Sequence, residues 1–260
     1  MIETERKWIL VAGSGVDGIP EKIVATSKAL GRALADAGFC LVSGGWPGVD
    51  HIVSRAFAEA VKETQASLTV RLMQFMKKGS TPDFPSGRFL AEGSEDEAWD
   101  ASIAISDAIV LIGGLGGAYG TGQAGRRLGK PVLPLADTRG EGGSHSDAYQ
   151  FYFDMLQSWT SKPISGLTLD DFHCLGDPAP EVTTDLVRLL TKLFGQQPYS
   201  APARQNYRLP NKEAALQLWN ELLEFLRKEE PVTVEPILKF QLKKKIEQAQ
   251  AKIFELRREV

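Results

Sequence analysis

Apolar positions along the chain alternate between two rhythms. Continuous apolar runs occur at Trp8–Gly15 ("WILVAGSG"), Phe39–Gly45 ("FCLVSGG"), Ala108–Gly114 ("AIVLIGG") and Pro131–Ala136, and Ser67–Phe75 ("SLTVRLMQF") is a mixed run that reads as a further strand. Each is short and bounded by glycine, proline or polar residues, and so reads as a buried strand. Between them, Glu21–Gly38, Asp50–Glu63 and Glu97–Ser106 carry apolar residues at helical spacing. Gly38 suits the C-cap of the first helix and Asp50 the N-cap of the second. The stretch "GQAGRRLG" (122–129) reads as a short helix, with further helical segments at "SDAYQFYFDMLQSW" and "EVTTDLVRLLTKLF". "PDFPSGRFLAEGSEDE" (82–97) is loop-like, with a short strand possible at Phe89–Leu90. Fully apolar strands that alternate with helices predict an α/β fold. The expected form is a Rossmann-like parallel sheet flanked by helices on both faces.

The rhythm changes near the end. Residues 1–195 form the predicted sheet domain. Residues 196–210 carry three prolines within Gly195–Asn211 and no period, the mark of a linker. Residues 211–260 read as a small C-terminal helical module. Its first helix has the stripe Leu216, Trp219, Leu222, Leu223 and Leu226, and "PVTVEP" breaks it. Leu242, Ile246, Ala249, Ile253, Leu256 and Val260 then step 4, 3, 4, 3, 4, a heptad seam. A coiled coil this short is expected to complete itself as a hairpin, with a second copy, or against a helical partner.

Composition narrows the function classes. The chain has 260 residues, 43% hydrophobic and 24% charged, with a formal net charge of −3. That is enough apolar material for a sizeable core, and the charge disfavours a dedicated nucleic-acid binder. Two cysteines in apolar surroundings make neither a disulfide framework nor a metal-ligand spacing, so no metal site is expected. "MIETERKWIL" has no apolar signal region, and no run of about 18 apolar residues occurs. The expectation is a cytoplasmic protein with no membrane partner.

Three glycine-rich turns follow three strands: Gly13-Ser14-Gly15, Gly44-Gly45-Trp46-Pro47-Gly48, and Gly113–Gly120. In a parallel sheet such turns line one crevice at the strand C-termini. Glycines there let the backbone approach a ligand, and the helices that follow offer free N–H groups to anions. A phosphorylated, nucleotide-sized ligand is expected, with no further cofactor required. "GSGVDG" fits G-x-G-x-x-G, yet the second strand ends in glycines where a ribose-binding acid would stand. No P-loop sequence occurs, and Ser14 lacks the G-x-S-x-G setting of a serine hydrolase.

"ILVAGSG", "GFCLVSGGWPGVDHIVSRAFAEA" and "SDAIVLIGGLGGAYGTGQAGRRLGKPVLPL" together resemble the SLOG superfamily. That group includes Lonely-guy phosphoribohydrolases, the DNA-processing protein A fold and sensor domains of bacterial antiphage systems. The likeness covers roughly Lys7 to Leu135. "PLADTRGEGG" (134–143) looks most like the sensor branch, as in sirtuin-SLOG effectors that bind cyclic ADP-ribose-type signals. More weakly, the C-terminal helices resemble adaptor-like modules of conflict-system effectors. The resemblance implies nucleotide binding within a defence system.

Lonely-guy enzymes use a glutamate in G-G-x-G-T-x-x-E and an arginine one helix earlier to cleave an N-glycosidic bond. Here the acid position falls on Ala124 or near Gly120, depending on alignment. No Asp or Glu lies between Asp107 and Asp137. The arginine's place falls near Trp99 or Asp100. Both catalytic roles are missing, so the loop is expected to hold a ligand without hydrolysing it. The predicted ligand-binding set is Gly13, Ser14, Gly15, Gly44, Gly45, Trp46, Gly48, Gly113, Gly114, Gly116, Gly117, Tyr119, Gly120, Thr121 and Arg126. Trp46 and Tyr119 are candidates to stack on a base, and Arg126 to reach a phosphate. Arg127, beside it, is read in the same way, and His51, which follows Asp50, is read as a solvated or capping residue rather than a catalytic base. A glycosidic nucleotide or NAD hydrolase would have to use Glu97, Asp100 or Asp50. A single-stranded DNA binder is the third class, and the absence of a basic aromatic stripe counts against it.

Overall fold

The computed structural model describes residues 6–64, 66–138 and 146–195, together with Gln250 and Phe254. The chain divides into two compact units, Met1–Arg204 and Gln205–Val260. The expected linker and the heptad seam lie outside the described residues.

The first unit is the α/β sandwich that the alternating rhythms imply. Its strands are β1 (Trp8–Gly13), β2 (Cys40–Ser43), β3 (Leu72–Lys77), β4 (Arg88–Glu92), β5 (Ala108–Ile112) and β6 (Val132–Leu135). Its helices are α1 (Glu21–Asp36), α2 (Val49–Glu63), α3 (Glu95–Ile105), α4 (Gly117–Arg127), α5 (Asp147–Ser158), α6 (Leu169–His173) and α7 (Val182–Phe194). All strand pairs are parallel, in the order β4-β3-β2-β1-β5-β6. β2 and β5 are buried along their whole length, as strands covered on both faces must be. Pro134 pairs opposite Leu111 on the edge strand β6, where a missing N–H costs no ladder bond.

The chain winds outward from β1 to β4 on one side, then returns to place β5 on the other side of β1. The connections after β1 and β5 therefore part company, leaving a crevice beyond the strand ends. In register, Gly13 faces Ile112 across that line. A Cβ on Gly13 would stand 2.5 Å from the Ile112 carbonyl oxygen and 2.7 Å from Val49 Cγ2. Only glycine lets β1, β5 and α2 meet there.

Several boundaries differ from the sequence reading. The run Ser67–Phe75, expected as one strand, opens with a 3-10 turn at Leu68–Val70, and β3 begins only at Leu72. The short strand expected at Phe89–Leu90 is a full edge strand, β4, paired to β3 over five residues. Ser94 caps α3 by accepting from the Glu97 N–H, so this helix starts two residues before Glu97. α4 begins at Gly117, so half of the third glycine block is helix. Two glycines of this helix are needed for packing: at Gly122 and Gly125 a Cβ would strike Phe151 (2.6 Å) and Ile109 (2.2 Å), while at Gly117 and Gly120 it would meet nothing within 4 Å. Among the described residues, no helix is long and apolar enough to cross a membrane.

Candidate functional site

The crevice opens into a cavity of about 540 Å³. β1 supplies its back wall through Leu10–Gly13, and Gly15 follows in the first turn. Gly44, Gly45, Trp46 and Pro47 of the second turn form one side. α3 forms the opposite side with Ala98, Trp99 and Ser102, and α4 contributes Gly117, Ala118 and Thr121. The end of β3 and the segment behind it complete the rim with Lys77, Ser80, Thr81 and Asp83.

The three glycine turns serve this cavity in different ways. Gly13, Gly15, Gly44, Gly45, Trp46, Gly117 and Thr121 of the predicted set line it. Ser14, Gly113, Gly114 and Gly116 build the frame behind. The Gly114 N–H donates to Ser14 Oγ (3.3 Å), joining the first turn to the third. The Gly113 N–H donates to Thr138 Oγ1 (2.7 Å). Gly48 is the hinge of the second turn, at φ +71 with the Val49 N–H on the Ser14 carbonyl (3.1 Å).

Tyr119, Gly120 and Arg126 lie outside the lining. Tyr119 packs edge-on to Phe151 at 5.3 Å and donates its hydroxyl to Asp154. Burial and that neighbouring carboxylate push the phenol up to about 12. Arg126 reaches Ser158 Oγ (3.4 Å) and the Lys162 carbonyl (3.3 Å), at the far end of α5.

The free end of α4 is partly occupied by the protein itself. Asp147, the first residue of α5, accepts the Gly116 N–H (2.7 Å) and the Tyr119 N–H (3.0 Å). The N–H groups of Gly117 and Ala118, in the same turn, have no acceptor among the described residues, and both residues face the cavity.

Asp50 is the buried carboxyl of the cavity. It is not the N-cap of α2; Gly48 takes that place, and Asp50 is the second helical residue, in the first turn, and 8% exposed. Its Oδ2 accepts the Trp46 N–H at 3.3 Å. Burial pushes the carboxyl up to about 7, against hydrogen bonds from the Trp46 and Gly44 N–H groups and the Ser43 side chain. The other two candidate acids do not face the cavity. Glu95, Ala98, Trp99 and Ser102 follow the i, i+3, i+4, i+7 line of α3, and Glu97 and Asp100 fall off that line. Glu97 stands near Glu92, whose carboxyl is raised by burial and by this like charge.

Trp99 stands near the place of the arginine in Lonely-guy enzymes, and it forms cavity wall. Its Nε1–H donates to Thr121 Oγ1 (2.9 Å), which in turn donates to the Gly117 carbonyl (3.0 Å). Trp46 is 50% exposed at the mouth, an aromatic face left open. Among the described residues, no cluster of three or more His, Cys, Asp or Glu could hold a metal ion. Sequence reasoning missed the segment Lys77–Asp83. Its signal was a run of small polar residues after β3 on the same sheet edge as the glycine turns.

The model of the SLOG cluster4 family matches residues 6–155, more than half of the chain. The chain belongs to the SLOG cluster4 family. Similar solved structures include the molybdenum cofactor binding protein of the phototrophic bacterium Rippkaea orientalis, at 16% identity and a TM-score of 0.50. That match covers 72% of this chain and 98% of that one. The molybdenum cofactor carrier protein of Chlamydomonas reinhardtii is 19% identical, with coverage of 58% and 85% and a TM-score of 0.47. DNA processing protein A of Helicobacter pylori is 15% identical, with coverage of 72% and 81% and a TM-score of 0.45. At these identities the likeness is one of fold. A comparison with curated proteins gave no match.

Proposed function

We propose that this SLOG protein binds a phosphorylated nucleotide-derived ligand in the crevice cavity and holds it without cleavage. The observation that carries the reading is the pairing of an open aromatic face with free backbone donors in one cavity. Trp46 offers the face at the mouth, and the Gly117 and Ala118 N–H groups offer a phosphate the start of α4. Lys77 on the rim adds a cation. The Rippkaea protein, a molybdenum cofactor binding protein, supports small-molecule binding on this fold.

In this reading the ligand is a signal of the cyclic ADP-ribose type, and the protein is the sensing component of a bacterial defence system. The heptad Leu242–Val260 then engages a helical partner or a second copy. Thermal-shift titration with cyclic ADP-ribose, ADP-ribose and AMP tests the binding. A rise in melting temperature that grows with ligand concentration is expected, and a flat response to all three refutes it. Light scattering on Ile246→Asp/Ile253→Asp tests the tail, with a lower mass expected than for wild type.

Asp50 favours a second reading. A buried carboxyl poised near neutral pH can move a proton or stabilise an oxocarbenium ion, which N-glycosidic hydrolysis requires. Release of free base from AMP or NAD, lost in Asp50→Asn, would put that reading first.

A further inference from the structure

Beside the main cavity lies a second, shallower depression of about 370 Å³, open to solvent along Val16–Gly18. Its walls are largely aliphatic, with Val16 and Ile19 from the turn after β1, Val24 from α1 and Ile52 from α2. The two cavities share a border. Asp83 lines both, while Gly15 and Pro47 line the large one and their chain neighbours Val16 and Gly48 line the small one. The partition is therefore a single residue step at each turn. It is also rigid: a Cβ on Gly48 would stand 2.3 Å from the Ser14 carbonyl oxygen and 2.5 Å from that of Val16. The two turns meet backbone to backbone.

The groups at the border are fixed in place. The Asp83 N–H donates to the Gly45 carbonyl (3.0 Å), tying this segment to the second glycine turn. The Asp83 carboxylate is turned toward His51, with Oδ2 2.5 Å from Nδ1; the contact has the distance of an ion pair without hydrogen-bond alignment. The His51 ring meets Phe84 edge-on at 5.9 Å. The small cavity thus presents aliphatic walls, one oriented imidazole and carboxylate acceptors from Asp17 and Asp83. Those carboxylates repel a phosphate. They accept from amide or exocyclic amine N–H groups, and the aliphatic walls favour a flat ring.

Resting on the nucleotide-binding part of the reading above, and departing from its one-base cyclic ADP-ribose form, we infer that the ligand is a dinucleotide. Its phosphates and one base occupy the large cavity, and its second, neutral heteroaromatic ring occupies the small one. Each cavity has the volume of a site for one nucleoside-sized group. The second nucleoside's ribose, not a phosphate, crosses the border at Asp83, whose carboxylate can accept from its hydroxyls.

Isothermal titration of the full chain with AMP, ADP-ribose and diadenosine diphosphate tests this. ADP-ribose carries the diphosphate without a second ring. Diadenosine diphosphate is expected to bind at least about tenfold tighter than ADP-ribose. Val24→Phe, which fills the small cavity, and His51→Ala, at a part-exposed position, should each remove that advantage and leave ADP-ribose affinity within twofold. Equal or weaker binding of diadenosine diphosphate overturns the second subsite while the nucleotide reading stands. So does an advantage that survives both variants. If none of the three probes binds, the nucleotide reading and this inference fall together.

Discussion

Replacing Asp50 with asparagine should change how stability depends on pH. The carboxyl titrates near its ordinary value of 3.8 in the unfolded chain and at about 7 in the cavity. Its folded-state value is raised, so the folded protein holds the proton more tightly than the unfolded chain does. The stability this contributes is present at low pH and is lost as pH rises from about 4 to about 7. Between pH 5 and pH 8 the loss works out at about 2–3 kcal/mol. For a domain of this size, that lowers the melting temperature by roughly 5–10 °C.

Asp50→Asn removes the titration and preserves the shape. The amide oxygen can still accept the Trp46 N–H, and the hydroxyl of Ser43 can rotate to accept the new NH₂. The assay is thermal or urea unfolding of both proteins at half-unit steps from pH 5 to pH 8. Wild type should lose stability relative to the variant across that range, and level off above about pH 8. Working with the difference cancels groups such as Asp171, whose carboxyl is held low by Lys192 and by Thr168. Parallel curves would refute the reasoning, and so would a wild type that gains on the variant as pH rises.

Three further outcomes are expected. Gly117→Asp adds a carboxylate where a Cβ meets nothing within 4 Å, so nucleotide affinity should vanish in a titration while the melting temperature holds or rises slightly at this helix start. Trp46→Ala removes a half-exposed ring, so urea unfolding should hardly change while nucleotide binding weakens by about 1–3 kcal/mol. Gly13→Ala drives a methyl toward the Ile112 carbonyl and Val49, and should cost about 1–3 kcal/mol in urea unfolding.

Strands β1, β2, β5 and β6 were legible because they are almost wholly apolar, and the helices because they are periodic; these two patterns answer directly to burial. The edge strand β4 was less legible, since it is half-exposed and broken by polar residues; its pairing with β3 is a tertiary fact. The glycine turns gave the place of the cavity. They did not say which residues face it, because turn geometry sorts Gly44 from Gly48 and helix phase sorts Trp99 from Asp100. Tyr119 looked like a ligand group while its stretch was read as loop, and Arg126 while its helix was taken to start at Gly122; with α4 beginning at Gly117, both side chains are turned toward α5. Asp50 was read as a cap, and its burial in the cavity follows from Gly48 starting the helix two residues earlier.

Asp147 gives the cavity an unusual electrical character. A helix start is ordinarily a patch of positive potential waiting for an anion, but here a carboxylate of the same chain already takes two of its N–H groups. Much of that potential is neutralised before any ligand arrives. The remaining attraction for a phosphate is short-ranged and comes from individual N–H groups at contact distance. Free phosphate and other small anions of the cell therefore gain little from entering, and added salt should weaken ligand binding only slightly. Discrimination then falls to shape and to the aromatic face, which a bare phosphate cannot use. Such a pocket can stay empty in a solution crowded with anions.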